Sequence, residues 1–182
     1  MVRLSRGLGA LDDTGQHACS QSDGNSKLPL VSECGLSDVA TRVLHLTRHI
    51  CAGYALRDYD GVQRALEAEL LLSSAVDAAQ VVSATTSMIL AIKDDRTKPF
   101  DFINPNCPNC CRHISLAELT VVALIEEIIQ GDHNRIANTA QLVVNGGDPH
   151  AVICAASNLV VVINNAQSGG RTMHTLNTAK YH

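Results

Sequence analysis

The sequence predicts an all-α protein, a bundle of about six helices set between N- and C-terminal tails. Three observations predict it. Apolar residues recur at spacings of three and four through the middle of the chain, which places them on one face of successive helices. Residues suited to helix caps stand where those patterns begin and end. The one strongly β-branched run, Val160-Val161-Val162-Ile163, has no second strand to pair with.

The first helix is expected from Leu36. Val39, Ala40, Val43, Leu46, Ile50, Cys51 and Tyr54 line its inner face, and Ser37 or Asp38 can accept an orphan amide at its start. Arg57 to Gly61 mark a turn. A second helix places Val62, Ala65, Leu66 and Leu70 inward, with Arg64, Glu67 and Glu69 mostly outward. Ser74 to Asp77 offers a new cap, although Leu70 to Ala79 could also run on as one helix. The third helix reaches Ile92 with almost no charge between Asp77 and Lys93, which suits a central position. Pro99, Pro105 and Pro108 then rule out a continuous helix, because proline lacks the N–H and clashes with the preceding turn.

Ser115-Leu116-Ala117-Glu118 has the pattern of a capping box. It opens a fourth helix carrying Leu119, Val122, Ala123, Ile125 and Ile129 and ending at Gly131. Asp132 caps a fifth, built on Ile136, Ala140, Val143 and Val144 and stopped by Asn145-Gly146-Gly147. Asp148-Pro149 puts a cap and a first-turn proline in the favoured order before the last helix. That helix uses Val152, Ile153, Ala156, Leu159, Val160 and Ile163.

Composition agrees with this plan and limits function. Of the 182 residues, 46% are hydrophobic but only 3% aromatic, so the core must be aliphatic. The net charge of −4 argues against direct nucleic-acid binding through phosphate neutralisation, and against a polybasic membrane patch. Residues 1–34 are rich in Gly, Ser, Asp, Asn and Gln and are expected to be a disordered tail. Residues 35–167 form the helical domain, with a Cys/His-rich turn at 104–113, and residues 168–182 form a second, flexible tail. No apolar leader stretch is seen near Met1. The charge-free run from Pro149 to Gly170 is interrupted by Ser157, Asn158, Asn164 and Asn165 and reads as a buried helix rather than a membrane span. The expected location is the cytoplasm, where the seven cysteines would be thiols or metal ligands.

The segment Asn104-Pro105-Asn106-Cys107-Pro108-Asn109-Cys110-Cys111-Arg112-His113 carries the chemistry. A C-x-x-C spacing turns two thiolates toward one ion, and zinc prefers such Cys and His ligands in a tetrahedron. Cys107, Cys110 and His113 are the expected ligands. Cys111, His133, His150 and Cys154 compete for the fourth place. The same residues support a redox reading. Cys107 and Cys110 precede a helix N-terminus, whose partial positive charge favours thiolate. A C-x-x-C near a helix start followed by histidine resembles the all-helical AhpD-type peroxidases. Their histidine lies four residues after the second cysteine, whereas His113 lies three after Cys110, and their upstream acidic residue has no counterpart here. Family membership is therefore not assigned.

Other motifs read as structural. His45 and His49 have metal-ligand spacing but no H-E-x-x-H context. Gly146-Gly147-Asp148-Pro149 lacks a phosphate fingerprint, and Glu126 and Glu127 diverge around their helix. The expected function is a small helical binding or assembly protein, acting on a protein partner or as a homo-oligomer, with a possible structural zinc. The alternatives are a thiol-dependent redox enzyme using Cys107 and Cys110, and a small regulator docking on a transcription factor. The expectation of self-association comes from the third and last helices, whose lack of charge could leave an uncovered stripe.

Overall fold

The computed structural model describes residues 28–55 and 60–178, with side chains described up to residue 168. Of the tail expected over 1–34, residues 1–27 lie outside the described residues, as do residues 56–59 and 179–182. Six helices follow one another: α1 (Asp38–Ala55), α2 (Gly61–Leu70), α3 (Ala75–Asp95), α4 (Leu116–Gln130), α5 (His133–Val144) and α6 (His150–Thr178). The described residues contain no strand, and Val160 to Ile163 are helical within α6.

Local chemistry sets the borders. Ser37 Oγ accepts the Ala40 amide at 3.2 Å at the head of α1. Ser74 Oγ accepts the Asp77 amide at 3.2 Å, so α2 and α3 are separate helices with a break between them. The capping box of α4 is formed in both directions: Glu118 N to Ser115 Oγ at 3.1 Å, and Ser115 N to Glu118 Oε2 at 2.9 Å. Gly131 ends α4 with φ +76°, a left-handed conformation that glycine adopts without steric cost. Asp132 Oδ1 accepts from Arg135 N at 3.2 Å, and Asp148 Oδ1 from His150 N at 3.0 Å. The helix α6 continues past Gly169-Gly170 to Thr178. Each glycine there costs roughly 1 kcal/mol of helix propensity, and no proline interrupts the run.

The most extensive packing joins α3 to α6, α4 to α5 and α1 to α2, and α1 also packs on α4 and α3. The core between them is aliphatic: Val43, Leu44, Ile50, Val81, Met88, Val122, Leu124, Ile125, Val143, Leu159 and Ile163 are all buried, with Phe100 and Phe102 beside them. Backbone close approach fixes two joints. A side chain at Gly61 would meet the His49 carbonyl oxygen, at 2.5 Å, where α2 crosses α1. A side chain at Gly147 would overlap the Asp95 carbonyl, where the end of α5 abuts the end of α3. Thr97 N donates to Val144 O at 3.2 Å across that second joint.

One face differs from the sequence expectation. Val62 and Leu70 are 43% and 45% exposed, whereas Glu69, expected outward, is 1% exposed. The cause is an ion pair: Arg42 Nε donates to both Glu69 oxygens at 2.8 Å, which turns the Ala65/Glu69 side of α2 toward α1.

Candidate functional site

The Cys/His-rich segment folds as a series of turns pinned to the core, and its anchor is a buried charge pair. Arg48 on α1 is fully buried, and its guanidinium meets the Glu118 carboxylate of α4 through Nε–Oε1 at 2.8 Å and Nη2–Oε2 at 3.0 Å. The remaining donors reach the turn itself: Nη1 to the Cys111 carbonyl at 2.8 Å and Nη2 to the His113 carbonyl at 2.5 Å. Glu118 in turn accepts the amides of Ile103, at 2.9 Å, and Ser115. Ser115 Oγ donates to Asp101 O at 2.7 Å. One buried pair therefore holds both ends of the loop from Asp101 to Ser115. Such a pair is stabilising only when its hydrogen bonds are well satisfied, as they are here.

A second layer of contacts comes from the chain before α1. Leu30 and His113 form an antiparallel bridge, with Val31 N donating to Arg112 O at 2.8 Å and Ile114 N to Pro29 O at 3.0 Å. Residues 28–34 thus form a strap across the turn, closed by a short 3-10 turn at Val31–Glu33. The His113 ring lies with Nδ1 3.0 Å from Leu28 O.

Within the turn, Cys107 is buried and its Sγ accepts the backbone N–H of Cys110 at 3.2 Å. Cys110 is disulfide-bonded. Cys107 keeps its thiol, as do Cys34, Cys51, Cys111 and Cys154. Cys111 Sγ donates to Pro108 O at 3.4 Å. Among the described residues no three His, Cys, Asp or Glu side chains converge on a point that could hold a metal ion. The expected zinc ligands Cys107, Cys110 and His113, and Cys111 as a candidate for the fourth place, share one turn without forming such a group. Among the competitors for the fourth place, His133 is exposed at the head of α5. His150 and Cys154 are exposed on α6, with Cys154 Sγ 3.9 Å from His150 Nδ1. The i, i+4 spacing did bring that pair together, but on the outer surface.

The other histidine pair lies elsewhere. His45 and His49 border a cleft of about 280 Å³ between α1 and α2, with Asp38, Thr41, Arg42, Leu46, Ala68, Glu69 and Leu72. Burial, and then the nearby Arg48 charge, lower the pKa of His45 below its ordinary value. Cys51 is inert for a similar reason: burial, and then the Glu118 carboxylate, push its thiol up to about 12.

The surface of α3 and α6 is also unusual. The exposed positions of α3 are Ala75, Val76, Ala79, Gln80, Ser83, Ser87 and Leu90 before Lys93; those of α6 up to residue 168 are His150, Ala151, Cys154, Asn158, Val161, Asn164, Asn165, Gln167 and Ser168. None carries a formal charge. Val76, Gln80, Ser83, Ser87 and Leu90 alternate spacings of four and three, as do Ala151, Cys154, Asn158, Val161, Asn165 and Ser168. Each set therefore forms one stripe along its helix.

Sequence reasoning missed the Arg48–Glu118 pair. Its signal was present: Arg48 sits four residues after Leu44 and three before Cys51, on the buried face of α1. Glu118 was read as a capping residue only. No protein-family model matches the chain, and neither a curated protein nor a solved structure matches it.

Proposed function

We propose that this is a helical assembly protein whose α3/α6 face binds a second copy of the chain. The observation that supports this reading is that the exposed positions of α3 before Lys93, and those of α6 up to Ser168, carry no formal charge, on the two helices that pack most extensively on each other. A solvated helix face ordinarily carries charge opposite its apolar stripe. A two-fold contact lays a patch on its own copy, so a patch without charge meets no like-charge penalty there.

The polar content favours protein over lipid as the occupant. By length and composition α3 and α6 could each span a bilayer, with mean hydropathy of 1.5 and 1.3. Gln80, Ser83, Ser87, Asn158 and Asn165 would then face hydrocarbon, where unpaired polar groups are costly. Against a second copy, the same side chains can hydrogen-bond across the contact, while Leu90 and Val161 supply apolar contact. The patch runs roughly 21–26 Å along the helices and roughly 20 Å across both, a footprint of roughly 450 Å² per copy. Standard stable interfaces bury about 800 Å² per partner, so this one suits a weak, reversible dimer.

Sedimentation of the full chain across a concentration series tests the reading. A dimer that is lost in Ser83→Glu and Asn158→Glu supports it. A monomer at every concentration contradicts it, as does recovery of the chain on floated neutral vesicles instead of in a dimer.

A further inference from the structure

We propose that the cleft between α1 and α2 docks a segment of a partner protein in which a large apolar side chain stands beside a lysine or arginine. The inference is independent of the α3/α6 face. It rests on three observations: an apolar cleft with an exposed leucine lip, a wall of hydrogen-bond acceptors on α1, and a lining cation that is already neutralised.

The lip is fixed in place. Leu71 and Leu72, at the end of α2, are 86% and 65% exposed. The Glu69 carbonyl accepts Leu72 N at 2.9 Å, Ser73 N at 3.0 Å and Ser73 Oγ at 3.1 Å, which closes the turn after α2. The Glu69 carboxylate is held in turn by Arg42 of α1. One residue therefore sets both the position of the lip and the facing of the two helices. Leu72 lines the cleft together with Ala68 and the buried Leu46, and the volume of about 280 Å³ admits a large aliphatic side chain. A single exposed leucine is ordinary, but two neighbours held beside an apolar cleft form the kind of patch that marks a partner surface.

Charge selects the partner. Arg42 and Glu69 neutralise each other within the wall, with side chains 8% and 1% exposed. Asp38, exposed in the first turn of α1, forms no ion pair among the described residues. The cleft is therefore left net negative. Asp38, Thr41 and His45 follow one another along one face of α1 at spacings of three and four. The Asp38 carboxylate and the Thr41 hydroxyl accept hydrogen bonds. Burial, and then Arg48, lower the pKa of His45, so its ring is uncharged at neutral pH and offers an acceptor nitrogen. An ammonium or guanidinium group donates to such a wall, whereas a carboxylate would meet Asp38 and Glu69 as like charges. The apolar side chain of the partner supplies affinity in the cleft, and its basic neighbour fixes the orientation along α1.

Fluorescence anisotropy tests this with a labelled synthetic helix of lysine and leucine, the leucines along one face, titrated with the full chain. The expected result is saturable binding that weakens with salt, and weaker binding of the same helix with glutamate in place of lysine. Leu72→Asp, at an exposed position, should keep the wild-type circular dichroism and weaken binding by about tenfold or more, as for an anchoring side chain. Asp38→Asn should weaken it by about twofold to fivefold, the range of one exposed ion pair, and reduce its salt dependence. Ser83→Glu with Asn158→Glu should bind the helix as the wild type does, so failure of the α3/α6 dimer and failure of this docking site are read separately. No binding by the wild-type chain overturns the proposal. Binding that Leu72→Asp leaves unchanged, or equal binding of the glutamate helix, overturns it as well. Loss of self-association in Leu72→Asp assigns the cleft to a second copy of the chain and overturns it in that favour.

Discussion

Glu118→Ala is the sharpest perturbation of the clamp. The carboxylate accepts two bonds from Arg48 and one each from the Ile103 and Ser115 amides. Its removal leaves a fully buried guanidinium without a counter-charge, which costs about 3–5 kcal/mol. A stranded buried amide adds about 1–3 kcal/mol. These losses overlap, so about 4–6 kcal/mol is the expected total, a large share of the about 5–15 kcal/mol that stabilises a typical domain. At about 2–4 °C per kcal/mol, the midpoint of thermal unfolding should fall by about 10–20 °C. Urea unfolding followed by circular dichroism measures the loss. Glu67→Ala serves as the exposed control and should change stability by less than about 0.5 kcal/mol. The paired replacement Arg48→Met with Glu118→Leu should recover at least half of the loss, because no buried charge then remains. A loss below about 1 kcal/mol in Glu118→Ala would refute the argument that this pair anchors the turn.

The remaining predictions concern packing and titration. Gly147→Ala forces a side chain into the Asp95 carbonyl and should cost about 1–3 kcal/mol or more, measured by the same unfolding assay. Wild-type stability in Gly147→Ala would mean that the α3/α5 joint is looser than described. Cys51, held near 12 against an ordinary 9.0, stays neutral in the folded chain after the unfolded chain has ionised. Its contribution is therefore complete below pH 9.0 and is lost as pH rises toward about 12, so Cys51→Ala should flatten the alkaline fall of stability. Folded protein at pH 8 should react with a maleimide at Cys154, which is exposed, and not at Cys51; peptide mapping that finds Cys51 labelled first would contradict this.

The fold was largely legible because its signals are local. Ser74, Ser115, Asp132, Gly131 and Asn145 act within one turn of themselves, and a cap or a left-handed stop needs no knowledge of distant chain. Facing was less legible. Glu69 looked like an outer residue because its partner, Arg42, stands on another helix 27 positions away. Arg48 and Glu118 are 70 positions apart, so neither residue alone announces a buried pair. An arginine within an apolar stripe and a capping glutamate are each ordinary; only packing α1 against α4 makes them one feature. The Cys/His cluster was found from spacing. Spacing could not show that Cys107 faces the Cys110 amide, that Cys111 turns to Pro108, or that His113 meets the strap. The uncharged outer stripes follow from the composition of α3 and α6, once packing decides which side of each is covered.

Sedimentation equilibrium of the wild-type chain and of Ser83→Glu with Asn158→Glu tests the central claim of self-association most directly. A weak dimer should fill as concentration rises from roughly 10 μM to roughly 1 mM, in keeping with an interface smaller than the standard size, and the doubly substituted chain should remain monomeric. A wild-type chain that stays monomeric throughout, or a dimer that the two charges leave intact, would contradict it.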